Sequence, residues 1–418
     1  MAEAAAQAHT APEAPPAGKS ATFREVLSSG EFRAIWLADF TSIAGDQFAR
    51  VALTVLTYER TRSALLTAMT YAASYLPWLI GGLVLSDLAD RYPRRNVMIT
   101  ADLARMVLVA AMITPGMPLW GMVVLLFAVT TLNAPFQGAR SALRAAILPG
   151  DRYALGVAIS QMTRQAGIVG GFVAGGVIVT SVGARQALLI DAGTFAFSAL
   201  MLTRVRARPA PARAHSSRLA EIMAGVTLVI GDRRLRTLML LAWLAAFCTL
   251  AEPLAVPYAA DLRHGAVAAG LIFAAGPLGS AVGSAVLTRL VRPSVRLRWM
   301  GPMAVASGLI LVACLAGTGL KLTLVILAIA GVAGGYQVAA NAAFIAATPD
   351  SRRGQAYGLA NAGLMISQGV VYVIAGAAVA LATPAVVVAG GGAVGAAAAC
   401  WLLVIWRRES APRRDEER

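Results

Sequence analysis

The residues best suited to chemistry are ionisable side chains inside long apolar runs, because a charge in hydrocarbon is expensive unless paired or facing a water-filled cavity. The first run holds Asp39, Asp46 and Arg50. Asp46 and Arg50 stand four apart, on one face of a helix, and can neutralise each other. A carboxylate at position 46, near the middle of its run, can also take and release a proton as water access alternates, with Arg50 or a cationic substrate competing for it. A static ion pair that fixes the helix is the alternative. Arg164 lies mid-run with no acid at helical spacing, so its partner comes from another run, with Asp46 and Asp39 the first candidates. Asp102 and Arg105 are three apart near one end of the third run, where long side chains snorkel to water. Glu252 precedes Pro253 in EPLAVP, a broken stretch of the kind that lines cavities, and is a second proton-site candidate or a gate residue. Asp191, in the sixth run, completes the set.

Polar and aromatic side chains at helical spacing are the candidates for substrate contact. Tyr71, Tyr75 and Trp78 recur at i, i+4 and i+7, Gln161 and Gln165 at i, i+4, and Gln337 and Asn341 likewise. Aromatic faces mixed with amide donors suit a large amphipathic molecule better than a sugar or a small ion. Plain helix packing is the alternative for each set.

These residues must be held by membrane helices. Of 418 residues, 58% are hydrophobic and only 14% charged, against roughly 25% charged in ordinary globular domains. That excludes an ordinary soluble enzyme. The apolar residues fall into twelve runs, near 33–57, 63–86, 96–114, 119–139, 154–180, 185–203, 235–258, 265–289, 296–317, 321–347, 355–381 and 384–406. Each is about the 20 residues a helix needs to cross a bilayer core. With 40 glycines, the chain has the small residues that let membrane helices approach closely. The expected fold is an all-α membrane protein, a helical bundle and not a barrel.

The net charge of +15 does not imply nucleic acid, because the arginines lie in short segments between apolar runs. Twenty of them fall in alternate connections and flanks that include Arg91, Arg140, Arg204, Arg289 and Arg352, against five basic residues (Arg60, Arg62, Arg185, Arg263 and Lys321) on the other side. The Lys/Arg-rich side is cytoplasmic. The expectation is a multi-pass protein of the plasma (inner) membrane with both termini cytoplasmic. Cys248, Cys314 and Cys400 sit far apart in apolar runs, with no disulfide or metal spacing. Met1–Ser20 is Ala/Pro-rich and reads as a disordered tail rather than a cleaved signal peptide.

The longest connection divides the runs six and six. The expected organisation is a cytoplasmic tail over 1–30, a six-helix bundle over 31–203, a cytoplasmic linker over 204–234, a second bundle over 235–406 and a charged tail over 407–418. The linker opens with the extended RVRARPAPARAH and continues as SRLAEIMAGVTLVIGDRR, whose apolar positions predict a helix lying on the membrane surface. PGDRYALG and PDSRRGQAYG place Pro149 and Pro349, and Arg152 and Arg352, at one common interval, a short internal repeat.

The loop after the second run reads GGLVLSDLADRYPRRNVMI. It resembles the signature of that loop in the major facilitator superfamily, with Ser86 in place of the usual Gly and Pro93 in place of the Gly before the basic pair. The resemblance implies that Asp90, Arg91, Arg94 and Arg95 brace the cytoplasmic gate, a cluster that Asp102 and Arg105 would extend. GIVGGFVAGG places Gly167, Gly171, Gly175 and Gly176 at helical spacing. It resembles the superfamily's antiporter glycine motif, with Phe172 where Pro is usual; a packing stripe is the alternative. SIAGDQFARVALTVLTYERTRSA, ADLARMVLVAAM, APFQGARSALRAAILP and PDSRRGQAYGLAN are similar to the enterobactin-exporter and macrolide-efflux branch.

No Gly-x-x-x-x-Gly-Lys-Ser/Thr phosphate loop is present and the three histidines form no metal spacing, so neither an enzyme, a cofactor nor a metal is expected. The expectation is a proton-driven exporter of an amphipathic small molecule, such as an antibiotic or secondary metabolite. Its partners would be that substrate, protons and the lipid bilayer, with a monomer as the superfamily's default. A uniporter or importer, and a membrane protein that no longer transports and serves in sensing or assembly, are the alternatives.

Overall fold

The computed structural model describes residues 22–75, 77, 81, 85, 91–207, 218–317 and 319–410, and among these the secondary structure is entirely helical. Asp90, Trp78, the extended part of the linker over 208–217 and most of the two tails lie outside the described residues. In the N-terminal part, α1 (Phe23–Ser28) is capped reciprocally by Thr22 and Glu25. Ser29 caps α2 (Gly30–Thr61), accepting from the Phe32 amide. There follow α3 (Ala64–Ala72), α4 (Arg94–Met112), α5 (Leu119–Thr131), α6 (Asn133–Ile147), α7 (Asp151–Val182) and α8 (Ala184–Leu202). Gly183, at φ +90°, makes the reversal between α7 and α8, a backbone conformation that only glycine adopts cheaply.

In the C-terminal part, α9 (Arg218–Gly231) is the helix expected in the linker, and Gly225 sets it against the backbone of Gln355. The seventh run is three pieces, α10 (Arg233–Trp243), α11 (Ala245–Cys248) and α12 (Ala255–Asp261), with Glu252 and Pro253 in the gap. The remaining helices are α13 (Ala266–Leu290), α14 (Pro293–Val312), α15 (Leu320–Gly334), α16 (Tyr336–Ala347), α17 (Arg353–Ala378) and α18 (Pro384–Ser410). The repeated Pro149 and Pro349 segments open corresponding long helices, α7 and α17.

Seven helices among the described residues are long and apolar enough to cross a membrane: Leu119–Ile147, Asp151–Val182, Ala266–Leu290, Val295–Ala316, Leu320–Ala347, Arg353–Ala378 and Pro384–Trp406. The first run forms a 32-residue helix, yet one laden with internal charge, and the seventh is broken. The second, third and sixth runs are also not among the seven, and in the first and seventh the functional candidates interrupt the apolar pattern.

Within the N-terminal part α2 packs on α7 and α8, and α4 on α8, α5 and α6; within the C-terminal part α13 packs on α15 and α14 on α18. Two seams join the parts, α7 with α13 and α3 with α17. Counted along the apolar runs these are the fifth with the eighth and the second with the eleventh, so exchanging each member for the run six places away in the other part turns one seam into the other. Gly176 lies against Gly270 and Ala266 at the first seam, and Gly376 against Leu65 and Ala68 at the second. Both contacts sit near the ends of the helices that carry the Arg60–Ser63 and Gly183 turns.

Small residues set the closest approach. A Cβ on Gly279 would collide with the carbonyl oxygen of Ala328, and one on Gly283 with that of Val332, so α13 and α15 meet backbone to backbone. Gly279→Val is expected to lose about 3 kcal/mol of stability, the upper part of the overpacking range, because a helix carbonyl cannot move aside as a side chain can. Thermal melting of the detergent-solubilised protein checks this, with Gly319→Ala, where a Cβ meets nothing, expected to melt as the native chain does.

Candidate functional site

A cavity of about 390 Å³ lies between the two parts, bounded by α2, α3, α6, α7, α11, α13 and α15–α17. On the N-terminal side it is lined by Asp46, Gln47 and Arg50 from α2 and by Arg164 and Gln165 from α7. Asn133 and Gln137 of α6 join them, with Gln137 donating to Asn133 Oδ1 at 3.3 Å. On the C-terminal side Cys248, Thr249, Glu252, Gln337, Asn361 and Gln368 face it. Charges line the N-terminal wall and, Glu252 apart, neutral polar groups line the other.

Asp46, Arg50 and Arg164 share the cavity, but none of them has an ion-pair partner within 4 Å among the described residues. The helical spacing of Asp46 and Arg50 allows a pair that the tertiary surroundings do not make. Arg50 instead extends to Gln47 Oε1 at 3.4 Å, with its guanidinium 5.6 Å from the Tyr75 ring centre. Arg164 faces Asp46 across open space. Asp39, the other partner expected for Arg164, is ion-paired with Arg140 of α6 outside the cavity.

One end of the cavity is shut by aromatic rings. Phe172 of α7 stacks on Phe273 of α13 at 5.0 Å, and Phe273 on Tyr71 at 5.4 Å. Tyr372 of α17 packs against both Tyr71 and Tyr75. Tyr71 donates to Glu252 Oε2 at 2.7 Å, Tyr75 donates to Tyr71 at 3.3 Å, and the hydroxyls of Thr249 and Tyr372 pair at 2.8 Å. The Tyr71–Glu252 bond ties α3 to the break in the seventh run, which leaves that carboxylate free of helix geometry and able to reach across. In a thermal-melt double-mutant cycle, Tyr71→Phe and Glu252→Gln are expected to be non-additive by about 1–3 kcal/mol, the value of a buried hydrogen bond to a charged or desolvated group.

The other expected residues distribute as follows. Gln337 donates to Ala242 O at 2.9 Å, which leaves its carbonyl oxygen for the cavity. Gln161 and Asn341 are exposed and do not line it, each a turn further along its helix. Gly167, Gly171 and Gly175 face α2, against Ile43, Ala44 and Gln47, and Phe48 and Val51 respectively, while Gly176 faces the other part at Gly270. The stripe therefore packs α7 on α2 and takes part in the seam. Arg94 and Arg95 donate to Ala142 O and Val205 O, tying the start of α4 to neighbouring chain ends, and Arg91 is exposed.

Asp102 and Arg105 differ most from expectation. They lie two to three turns into α4, away from Arg94 and Arg95, and they do not snorkel: Arg105 is 1% exposed and Asp102 0%. Arg105 pairs with Asp102 and lies between the rings of Phe136 and Phe195, 4.7 and 4.5 Å from their centres. Ser198 completes the carboxylate's bonding at 2.5 Å. Snorkelling fails because α6 and α8 enclose that face of α4. Tyr372, Thr249 and Phe273 had no sequence signal beyond apolar context, whereas Asn133 and Gln137 carry the same i, i+4 amide spacing as the other candidates.

A bundle of membrane-crossing helices around a polar cavity, in two parts joined along equivalent seams, is the architecture of a membrane transport protein. The chain belongs to the Major Facilitator Superfamily, which it matches over residues 35–335 and 253–418. It is 28% identical over 284 residues to the enterobactin exporter EntS of Citrobacter koseri, and 27% over the same length to that of Escherichia coli O1:K1. Those alignments cover 63% of this chain and 65% of each relative, so they span a little under two thirds of the relatives' length. Among solved structures, a POT family transporter in complex with a thioalcohol-conjugated peptide superposes with a TM-score of 0.72 at 12% identity, covering 91% of this chain and 96% of the other. A bacterial homologue of the iron transporter ferroportin in the inward-facing state gives 0.68 at 13%, covering 92% and 99%. At these identities the structural likeness is one of fold.

Proposed function

We propose that this protein exports an amphipathic small molecule across the plasma membrane by proton antiport, through alternating access of two six-helix halves with twelve spans in all. In this reading both termini lie on the cytoplasmic side and the tyrosine cluster closes the outer end of the cavity. The observation that carries this reading is Asp46: a carboxylate with no ion-pair partner among the described residues, facing a cavity that it shares with Arg50 and Arg164. A proton and a substrate held near those guanidiniums can compete for the state of one carboxylate, which is the minimum an antiporter needs. Aromatic rings and amides around the rest of the cavity suit a substrate of mixed polarity. The relatives named as enterobactin exporters support outward transport of such a molecule.

The test is cellular accumulation of a panel of macrolides, tetracyclines and cationic dyes in an efflux-deficient bacterium expressing the chain, with and without a protonophore. The expected result is lower accumulation of at least one compound, returning to the vector level when the proton gradient collapses. Accumulation above the vector level would make the protein an importer, the direction that the fold shared with peptide transporters also permits. Lowered accumulation that survives collapse of the gradient would remove the proton from the mechanism.

A further inference from the structure

Behind the cavity, inside the N-terminal part, lies a second and much smaller space of about 30 Å³, bordered by Asp46, Arg50, Ser74, Arg105, Asn133 and Asp191 among others. It has room for one or two water molecules. Asp46, Arg50, Ser74 and Asn133 border both spaces and form the wall between them.

Asp191 is the anomaly. It is 1% exposed, its Oδ1 accepts from Thr194 Oγ1 at 3.2 Å, and its Oδ2 has no hydrogen-bond partner. The Ser74 hydroxyl at the same void is also buried and unpartnered. The carboxylate is pressed against α2 beside Asp46, because a Cβ on Gly45 would collide with Asp191 Oδ1 and Thr194 Oγ1. A buried polar atom with no partner is costly and rare, and here two such atoms face one water-sized space.

The charges around the void do not balance. Of the charged residues that border it, Asp46 and Asp191 are negative and Arg50 and Arg105 positive, but Arg105 is already neutralised by its ion pair with Asp102, which does not border the void. Arg164, on α7, faces the open cavity. One negative charge is left over in a place poor in water, and one proton removes it.

We propose that Asp46 and Asp191 share a single exchangeable proton across this void, with Asp46 exchanging it with the central cavity and Asp191 holding it inside the N-terminal half. In the transfer an O–H bond breaks at the Asp46 carboxyl and one forms at Asp191 Oδ2, directly or by hand-over through a water, and no other species is consumed. Asp191 is then a second proton site, shielded from substrate, that keeps the proton while Asp46 faces Arg50 and Arg164. This rests on the proton-coupled reading above and specifies where the proton goes.

The test is infrared difference spectroscopy of the full-length protein in lipid vesicles between acidic and alkaline buffer, in a Glu252→Gln background so that this carboxyl does not contribute. A band of protonated carboxyl that titrates is expected, and it should vanish in Asp46→Asn and equally in Asp191→Asn, since either change restores charge balance without a proton. Thr194→Val, which keeps both carboxylates, is expected to shift the band by removing a hydrogen bond to Asp191, and guards against loss of fold in the other variants. A band that persists in Asp191→Asn, or is unmoved by Thr194→Val, would overturn the proposal by leaving Asp46 alone. Persistence in Asp46→Asn would equally overturn it, making Asp191 a static acid. Abolition by sodium ions at constant pH would assign the void to a metal cation instead. The spectra do not depend on transport, so a shared proton with no gradient-driven export would sink the antiport reading, and gradient-driven export with a persisting band would sink only the sharing.

Discussion

Arg105→Leu is expected to lower the stability of the purified protein by about 3–5 kcal/mol, the cost of leaving one member of a buried ion pair without its partner. Asp102 would remain fully enclosed with only the Ser198 hydroxyl to serve its charge. The cation also fills the space between Phe136 and Phe195, so its removal takes away two cation–π contacts as well as the pair. The double variant Asp102→Asn with Arg105→Leu should recover much of the loss, because no uncompensated charge then remains. Melting of the single and double variants in one detergent measures both, and additive losses would show that the pair contributes little as a pair.

Asp46→Asn is expected to reduce gradient-driven export to the level of the empty vector while leaving the melting temperature within a degree or two of native, since no ion pair among the described residues holds that carboxylate. The contrast with Arg105 follows from surroundings rather than residue type. Both are charged residues in membrane helices, but one is enclosed with its partner and the other borders a cavity. Normal export by Asp46→Asn would move the proton to another group, and Glu252→Gln would be the next variant to assay. A large fall in melting temperature would instead point to a structural role for Asp46.

Much of this architecture is legible in the chain. Apolar runs of membrane-spanning length, the Arg-rich connections, the linker helix and the break at Glu252–Pro253 all follow from local composition, because hydrocarbon imposes length and polarity on each segment separately. The spacing of Asp46 with Arg50 suggested a pair on one helix face, whereas that of Asp102 with Arg105, near the end of their run, suggested side chains that snorkel to water and extend the gate. Only the latter two pair. Asp102 and Arg105 are driven together by α6 and α8 closing over them, whereas Arg50 is drawn off toward Tyr75 and Gln47 by a cavity with space to turn in. Asp39, similarly, takes Arg140, 101 residues away in the chain, over any neighbour on its own helix.

By itself the sequence determined the helical class, the segments able to cross a membrane and the short inventory of charged residues that hydrocarbon would not tolerate unpaired. Which of those charges are paired, which face water and which share a water-sized void was decided by the tertiary structure, because an ion pair depends on what three or four packed helices bring to one point. The closure of the cavity is of the same kind: Tyr71, Phe273, Tyr372 and Glu252 come from four distant segments and acquire a common role only when the two seams bring them within contact.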